Sequence, residues 1–234
     1  MNNFIVLTKK EFAQMILDYK AMWLPIVFIF LGLTQPIVTY FLPTILEALG
    51  GAQGLTIDPS MTNQKGVEVL ASTLGSQFDQ LGIMIIVISM MGTVQSDKAN
   101  GMLAFILTRP VSVVSYIAGK IVSNGFITAI SVSIGYVVSY LYVNYLFTNV
   151  QFSQMITGLF FYLAWVLYIV TFTTMISTIF KSQAVIALIS IVYLIGCRII
   201  VGLNPIIDYV NPASMSKYAT ESLISGTVNS YGII

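Results

Sequence analysis

The sequence predicts an all-α fold, that of a polytopic helical membrane protein. Of the 234 residues, 57% are hydrophobic and only 8% are charged, whereas a soluble domain has about 45–50% apolar and about 25% charged residues. The apolar residues form long continuous runs, unlike the alternating segments of about ten residues in a membrane β-barrel. A soluble enzyme is therefore excluded. The balance of 10 Lys+Arg against 9 Asp+Glu also excludes a basic surface for nucleic acid.

The first 20 residues predict a helix lying in the membrane interface. Their apolar residues recur mostly every three or four positions, and charged residues interrupt them. Lys9 and Lys10 would lie near the lipid headgroups, with Glu11 and Phe12 following on the same helix. The alternative is a simple run-in to the first membrane span.

Five segments are apolar enough to cross a bilayer, which takes about 20 residues as a helix. They divide a single transmembrane domain, 1–234, into spans at 22–46, 81–95, 121–147, 155–180 and 184–203. Residues 47–80 and 204–234 are expected outside the cell, with short outer helices at 65–78 and 213–225. The apolar residues 232–234 suggest the start of a sixth span, and a five-span protein is the alternative.

The distribution of positive charge predicts a cytoplasmic N-terminus. With this orientation, seven of the 10 Lys and Arg residues lie in the inner segments and two lie outside, which agrees with the preference of Lys and Arg for cytoplasmic loops. The seven inner residues are Lys9, Lys10, Lys20, Lys98, Arg109, Lys120 and Lys181.

The inner loop, 96–120, is the most informative segment between spans. A polar stretch, SDKANG, is followed by seven residues, MLAFILT, that predict about two turns of apolar helix. Arg109-Pro110 ends this helix, because proline disfavours helix at the preceding residue and lacks an N–H. Such a helix suits a groove on a soluble partner. Contact with lipid alone is the alternative.

The sequence carries no recognisable catalytic, nucleotide or metal site. It has no His and a single Cys, Cys197. Gly119-Lys120 is the only Gly-Lys pair, but Ile121 follows it and Val114 replaces the first glycine of a phosphate-binding loop. No predicted span contains an acidic residue, which argues against a proton-coupled carrier.

Arg198 is the exception, because an ionisable residue inside a span is costly and often functional. Two interpretations are open: it reaches the outer interface or pairs with Asp208, or it lines a substrate path. Aromatic residues crowd the outer halves of the third and fourth spans, and most suit a membrane-interface belt. With Arg198, the candidate path residues are Tyr136, Tyr140 and Trp165.

The third span also carries small residues at every fourth position. Such stripes allow helix backbones to approach closely, either within the chain or in a homodimer. The stripes are Gly125, Ala129 and Ser133, and Ser131, Gly135 and Ser139.

The inner loop resembles that of ABC-2 type transporter permeases, the membrane-spanning subunits of ATP-binding cassette exporters. The matching residues are Asp97, Gly101, the apolar run 102–107, Thr108-Arg109-Pro110-Val111-Ser112 and Gly119-Lys120. Lys10-Glu11 and the segment Asp208-Tyr209-Val210-Asn211-Pro212 are also similar to the family. The sequence departs from the family in having Asp97 where Glu is usual, Val113 where a basic residue is common, and five spans where the family has six.

The resemblance implies that the inner loop is a coupling helix seated on a cytoplasmic ATPase. The implied contacts are Asp97, Lys98, Gly101, Leu103, Phe105, Ile106, Thr108, Arg109 and Pro110. The chain itself would bind no cofactor, while ATP and Mg would be held by the partner. Two ATPase subunits and a second permease, identical or paralogous, would complete an exporter of a lipid-like molecule, peptide or drug in a bacterial plasma membrane. A scaffold or sensor subunit and a partner-free carrier are the alternatives.

Overall fold

The computed structural model describes residues 3–50, 65–103, 108 and 112–225, and these residues contain helices and no strand. Five helical segments are long and apolar enough to cross a membrane, which confirms the all-α polytopic class. The elements are α1 (Asn3–Leu17), α2 (Lys20–Gly50), α3 (Gly66–Ser72), a π-helical stretch (Thr73–Gly82), α4 (Ile83–Met90), α5 (Gln95–Ala99), α6 (Val113–Leu146), α7 (Phe152–Ile179), α8 (Gln183–Ile200), α9 (Pro205–Val210) and α10 (Ser214–Ser225).

The first helix is separate from the first span. Tyr19 has a φ of 57°, in the left-handed region that breaks a helix, and α2 starts at the next residue. Phe12 of α1 packs edge-on against Phe126 of α6, with ring centroids 5.8 Å apart. The N-terminal segment is therefore a helix docked on the bundle and not a run-in to α2. Its place in the membrane interface stays a prediction.

Two glycines allow α2 and α6 to cross closely. A Cβ atom on Gly32 would lie 2.2 Å from the carbonyl oxygen of Gly135, and one on Gly135 would lie 2.4 Å from that of Phe28. On the first small-residue stripe, Gly125 instead faces Leu167 of α7. At these positions the stripes serve packing within the chain.

The second span is longer than the sequence suggested. Helix begins at Gly66 and, through the π-helical stretch, continues to Ala99 with only a short turn before α5. Asp79, which we expected in the outer segment 47–80, lies inside this span and is 2% exposed. The expectation that the spans contain no acid was therefore wrong. The first part of this span was missed because the polar sequence TLGSQFDQLG lowers the local hydropathy.

Other helix ends also differ from the sequence boundaries. α6 starts at Val113, eight residues before the predicted third span, because Ser112 caps it by accepting a hydrogen bond from the Ser115 N–H. The outer helix expected at 213–225 is α10, and it packs back onto α7, where Gly158 faces Ala219 and Leu223. α8 packs less closely against the other helices, since its buried residues are Ile186, Ser190 and Leu194.

The core lies among α2, α4, α6 and α7. It is built around large aromatic side chains, with Phe28 edge-on to Phe78 at 5.3 Å and Phe78 beside Tyr162 at 6.0 Å. Aromatic side chains supply large buried areas and favour such edge-on geometry. The core leaves charged groups at its two ends.

Candidate functional site

Three buried charges from distant parts of the chain meet at the predicted cytoplasmic end of the bundle. The Lys120 ammonium lies 3.0 Å from both carboxylate oxygens of Glu11 and 2.9 Å from Oδ2 of Asp97. Their exposed fractions are 2%, 7% and 4%, respectively. Removing water from charged groups is costly, and close pairing offsets that cost. We call this cluster the Glu11–Lys120–Asp97 junction.

The junction connects three elements. Glu11 comes from α1, Asp97 from α5 at the end of the second span, and Lys120 from the second turn of α6. Asp97 and Lys120 are also near the two ends of the inner loop, so their ion pair closes the loop at its base. The hydroxyl of Tyr116 donates a 2.6 Å hydrogen bond to Oδ2 of Asp97, which adds a neutral donor to the acidic side.

A second lysine lies beside the junction. Lys20, at the start of α2, donates to Oδ1 of Asn124 at 2.7 Å and to the carbonyl oxygen of Ser89 at 2.6 Å. It lines a cavity of about 360 Å³ together with Glu11 and Lys120. Asp18 lines the same cavity, so Lys20 and Lys120 share it with the carboxylates of Glu11 and Asp18.

The end of α7 holds the start of the inner loop. The Lys98 ammonium donates to the carbonyl oxygens of Ser177, at 3.3 Å, and of Thr178. Ser177 Oγ accepts hydrogen bonds from the backbone N–H groups of Val94 and Gln95 at 3.2 and 3.1 Å. The carbonyls at the end of one helix thus bind a cation, while a hydroxyl satisfies N–H groups at the start of another.

The predicted coupling residues divide into three groups. Asp97 and Lys98 point into the bundle, and Leu103 packs against Val94 and Tyr116. Gly101, with a φ of 69°, and Thr108 are exposed. Phe105, Ile106, Arg109 and Pro110 lie outside the described residues.

The predicted residues of α1 lie on two faces. Lys9 and Lys10 are exposed, whereas Glu11 is in the junction and Phe12 packs on α6. Lys10 also reaches the sulfur of Met102 in the inner loop at 3.3 Å. One face of α1 therefore attaches to the bundle and the other carries positive charge.

A second buried ion pair lies toward the predicted outer end. Nε of Arg198 in α8 is 2.5 Å from Oδ2 of Asp79 in the π-helical stretch, and Ser216 of α10 donates to the same oxygen. Arg198 therefore pairs with Asp79 of the second span and not with Asp208, one of the alternatives that the sequence left open. Asp208 instead pairs with Lys217 at 2.9 Å.

The Asp208–Lys217 pair lies outside the spanning helices. The Gly202 N–H donates to Asp208 at 2.8 Å, and this bond, with the Lys217 ammonium, holds the pKa of the carboxyl below its usual value. The hydrogen bond to Asp208 in turn raises the pKa of Lys217. Both groups are therefore charged at neutral pH.

Of the four candidate path residues, Arg198 lines a cavity toward the predicted outer end of the bundle. That cavity, of about 420 Å³, is shared with Asp79, Gln80 and Met84. Tyr136 and Trp165 are fully buried in the core, and Tyr140 donates to the carbonyl oxygen of Val150 at 3.3 Å. The three aromatic residues therefore have structural positions, two in the core and one against the connection between α6 and α7.

Sequence reasoning missed Asp79, Lys20 and Tyr116. Asp79 lies only two residues before the predicted second span, and this short distance could have indicated that it belongs to the span. Tyr116 and Lys20 gave none, since their partners lie far away in sequence. In the described part of the chain no group of three His, Cys, Asp or Glu side chains is placed to hold a metal.

Comparison with known proteins places this architecture in a family. Residues 5–232 match the family model described as ABC-2 family transporter protein. The chain is also 35% identical over 226 residues to the uncharacterized transmembrane protein YxlG of Bacillus subtilis (strain 168). This alignment covers 97% of the chain and 87% of the relative. The match favours a bacterial source.

The family match extends over both ends of the bundle, from the N-terminal helix that carries Glu11 to the segment beyond α10. It thus includes the inner loop, the five candidate spans and both buried ion pairs. The chain belongs to the ABC-2 family of transporter proteins, whose members are membrane subunits of ABC transporters.

Proposed function

We propose that this chain is the permease of an ABC exporter, driven by ATP hydrolysis on a separate cytoplasmic subunit. The proposal rests on the family match and on one observation, the Glu11–Lys120–Asp97 junction. Permeases of this family generally work with an ATPase subunit.

The junction supports coupling because it attaches the inner loop to several helices at once. A displacement of the loop acts on Asp97 and Lys120 together, since their ion pair joins the loop ends at 2.9 Å. Glu11 extends the same contact to α1, and Lys98 extends it to the end of α7. Packed helices switch between discrete arrangements as rigid bodies, so a movement at this point can reorient the bundle.

The absence of a phosphate-binding loop from the sequence also supports ATP binding by a separate subunit. Without GxxxxGK[S/T], the chain has no site of that kind for ATP. ATP and Mg would be bound by the partner, and the working unit would contain two ATPases and two permeases, the second identical or paralogous. The N-terminus and the inner loop would face the cytoplasm of a bacterial cell.

The cargo class follows from the spans. They are apolar, and their described charges are paired at the bundle ends or in the Asp79–Arg198 pair. A hydrophobic or amphipathic molecule fits such surroundings better than a hydrophilic ion, which a dry apolar path would exclude. The direction of transport is proposed to be outward.

The test is co-purification of the chain with the ATPase encoded beside its gene. We expect a complex of two permeases and two ATPases. Phe105→Asp should remove the ATPase, because a charge on the apolar loop helix prevents its burial in a groove. Phe180→Asp is the matched control, since it makes the same change in the other short connection at this end of the bundle and should leave the complex intact.

A second variant tests the junction itself. Tyr116→Phe deletes the hydroxyl that donates to Asp97 and keeps the ring. We expect the complex to form normally while stimulation of the ATPase by the permease falls. A well-folded chain that binds no ATPase would contradict the proposal and support a scaffold, a sensor or a partner-free carrier.

A further inference from the structure

We propose that the outward face of α1 binds anionic phospholipid headgroups of the inner leaflet, and that this contact holds Glu11 in the Glu11–Lys120–Asp97 junction. The outward face is the side of α1 turned away from the bundle. Its large exposed side chains are Ile5, Val6, Lys9, Lys10, Ile16 and Leu17. The inference rests on the proposed function for the coupling role of the junction, and it adds a partner that regulates this site.

The apolar side chains of the outward face are more exposed than contact with water favours. Their exposed fractions lie between 46% and 76%, and that of Tyr19, in the turn after α1, is 69%. Exposed apolar patches of this kind mark contacts with a partner or a membrane. α2 follows at Lys20 and is long and apolar enough to cross the bilayer, so the end of α1 lies at the membrane surface. Its apolar side chains can therefore enter the boundary between headgroups and acyl chains.

The lysines of the outward face add a requirement for negative charge. Lys9 lies one helical turn after Ile5. Lys10 lies one turn after Val6, so each lysine is beside an exposed apolar side chain. Lys10 also reaches the sulfur of Met102, which is neutral and leaves the charge of the ammonium unbalanced. Neutral lipid would cover the apolar side chains without opposing these charges, whereas the anionic headgroups of a cytoplasmic leaflet do both.

The inward side of α1 carries the junction. Glu11, the one acid in the α1 sequence, is 7% exposed and lies 3.0 Å from the Lys120 ammonium. Met15, one turn further, is 5% exposed and packs in the main core. The two sides belong to one helix of 15 residues, so contacts on the outward face also act on Glu11. Headgroups that attract Lys9 and Lys10 keep α1 at the depth where Glu11 meets Lys120.

A soluble protein is the competing occupant, because an acidic groove on the ATPase would also attract two lysines. The position of α1 favours lipid. Only Asp18 and Tyr19 separate α1 from the first span, so the helix cannot lie far from the bilayer. Phe12 of α1 packs on Phe126, which is exposed and lies inside the α6 span. The helix therefore borders the lipid that surrounds α6.

The experiment measures how readily α1 leaves the bundle, in the full chain and without any ATPase. Met15→Cys in a Cys197→Ala background places one thiol on the inward side of α1. The protein is reconstituted in nanodiscs of phosphatidylcholine, with or without one third phosphatidylglycerol, and labelled with an uncharged polyethylene-glycol maleimide. We expect labelling to be roughly tenfold slower in the anionic lipid, because its headgroups attract both lysines. Ser182→Cys, exposed at the same end of the bundle, should label equally fast in both lipids.

Two double variants in the Met15→Cys background locate the contact. Lys9→Gln with Lys10→Gln removes both positive charges from the outward face, and labelling should then proceed at the same rate in the two lipids. Lys65→Gln with Lys181→Gln removes two exposed lysines that lie outside α1, and it should keep the protection by anionic lipid. High salt should weaken that protection, because it screens exposed charges.

The outcomes separate this inference from the transport proposal. Equal labelling of Met15→Cys in the two lipids, or protection that survives loss of both Lys9 and Lys10, would overturn the inference. Protection by the added ATPase in neutral lipid, with none from phosphatidylglycerol, would assign the outward face to the ATPase instead. The lipid measurement contains no ATPase. Its failure therefore leaves the coupling proposal standing, and loss of ATPase association in Phe105→Asp leaves the lipid contact standing.

Discussion

Lys120 contacts both Glu11 and Asp97 and so holds the two acids of the junction together. Two carboxylates held this close repel each other unless a cation lies between them. The stability of the junction therefore depends on Lys120 more than on either acid.

Replacing Lys120 with Met should destabilise the protein by about 3–5 kcal/mol, since it leaves two buried carboxylates without a counter-ion. Unfolding by a denaturing detergent, followed by circular dichroism, would measure the loss. Lys217→Met is the control, because the Lys217 side chain is 34% exposed and Asp208 keeps its hydrogen bond from the Gly202 N–H, so the loss should be smaller. Equal destabilisation by the two variants would show that the junction is not a stabilising cluster.

At the residue scale, the sequence marked Arg198 as unusual and offered Asp208 as one possible partner, whereas the structure pairs it with Asp79. Asp208 is near in sequence and follows the same span, whereas Asp79 is 119 positions away. A pairing over that separation depends on how helices pack, which one sequence does not reveal. The sequence could identify Asp97 as a candidate site residue through its loop motif. It could not pair Glu11 with Lys120, because that contact depends on how α1 packs against α6.

At the element scale, the close approach of α2 and α6 depends on the absence of side chains at the crossing. Gly135 lies against the backbone of Phe28, and Gly32 lies against Gly135. Inside a membrane the hydrophobic effect does not drive helices together, because lipid is as apolar as their side chains. Helices associate there through close packing, which small residues allow. The crossing fixes where α6 places Lys120.

Gly135→Ala should destabilise the fold by about 1–3 kcal/mol, because the new methyl group would lie 2.4 Å from the Phe28 carbonyl oxygen and the helices must separate. Thermal unfolding in detergent would detect the loss. Gly196→Ala in α8 is the matched control. A Cβ atom there meets nothing within 4 Å, and alanine favours a helix more than glycine does. Loss of stability in the control alone would contradict the packing argument.

The elements differ in how well sequence predicted them. α7 and α8 begin and end within three residues of the predicted spans, since their apolar runs are uninterrupted. The second span was truncated because Ser76, Gln77 and Asp79 lowered its hydropathy. In the structure, Ser76 bonds the carbonyl oxygen of Ser72, and Gln77 bonds Gln35. Ser76 is thus satisfied within its own helix, whereas the partner of Gln77 comes from α2, and only that second contact depends on tertiary packing.

At the scale of the whole molecule, the two ends of the bundle differ in how they carry charge. One end has the junction, Lys98 and the exposed lysines of α1, and the other has the Asp208–Lys217 pair. The excess of Lys and Arg predicts that the junction end is cytoplasmic.

Single cysteines placed in a Cys197→Ala background would measure the orientation. Asn149→Cys lies in the exposed connection between α6 and α7, and Ser182→Cys lies in the exposed connection between α7 and α8. In intact cells, a membrane-impermeant maleimide should label Asn149→Cys and not Ser182→Cys. Permeabilised cells, in which both should react, are the control. The reverse pattern would invert the topology and remove the inner loop from the cytoplasm.

The ion pair between Asp97 and Lys120 has a consequence for how this protein diverges among its relatives. Because the ion pair closes the loop at its base, exposed loop residues such as Asn100 and Gly101 can be exchanged without removing the contacts between Asp97 and Lys120. A related family member could bind a different ATPase subunit through changes confined to the inner loop, while its membrane-spanning helices stay the same.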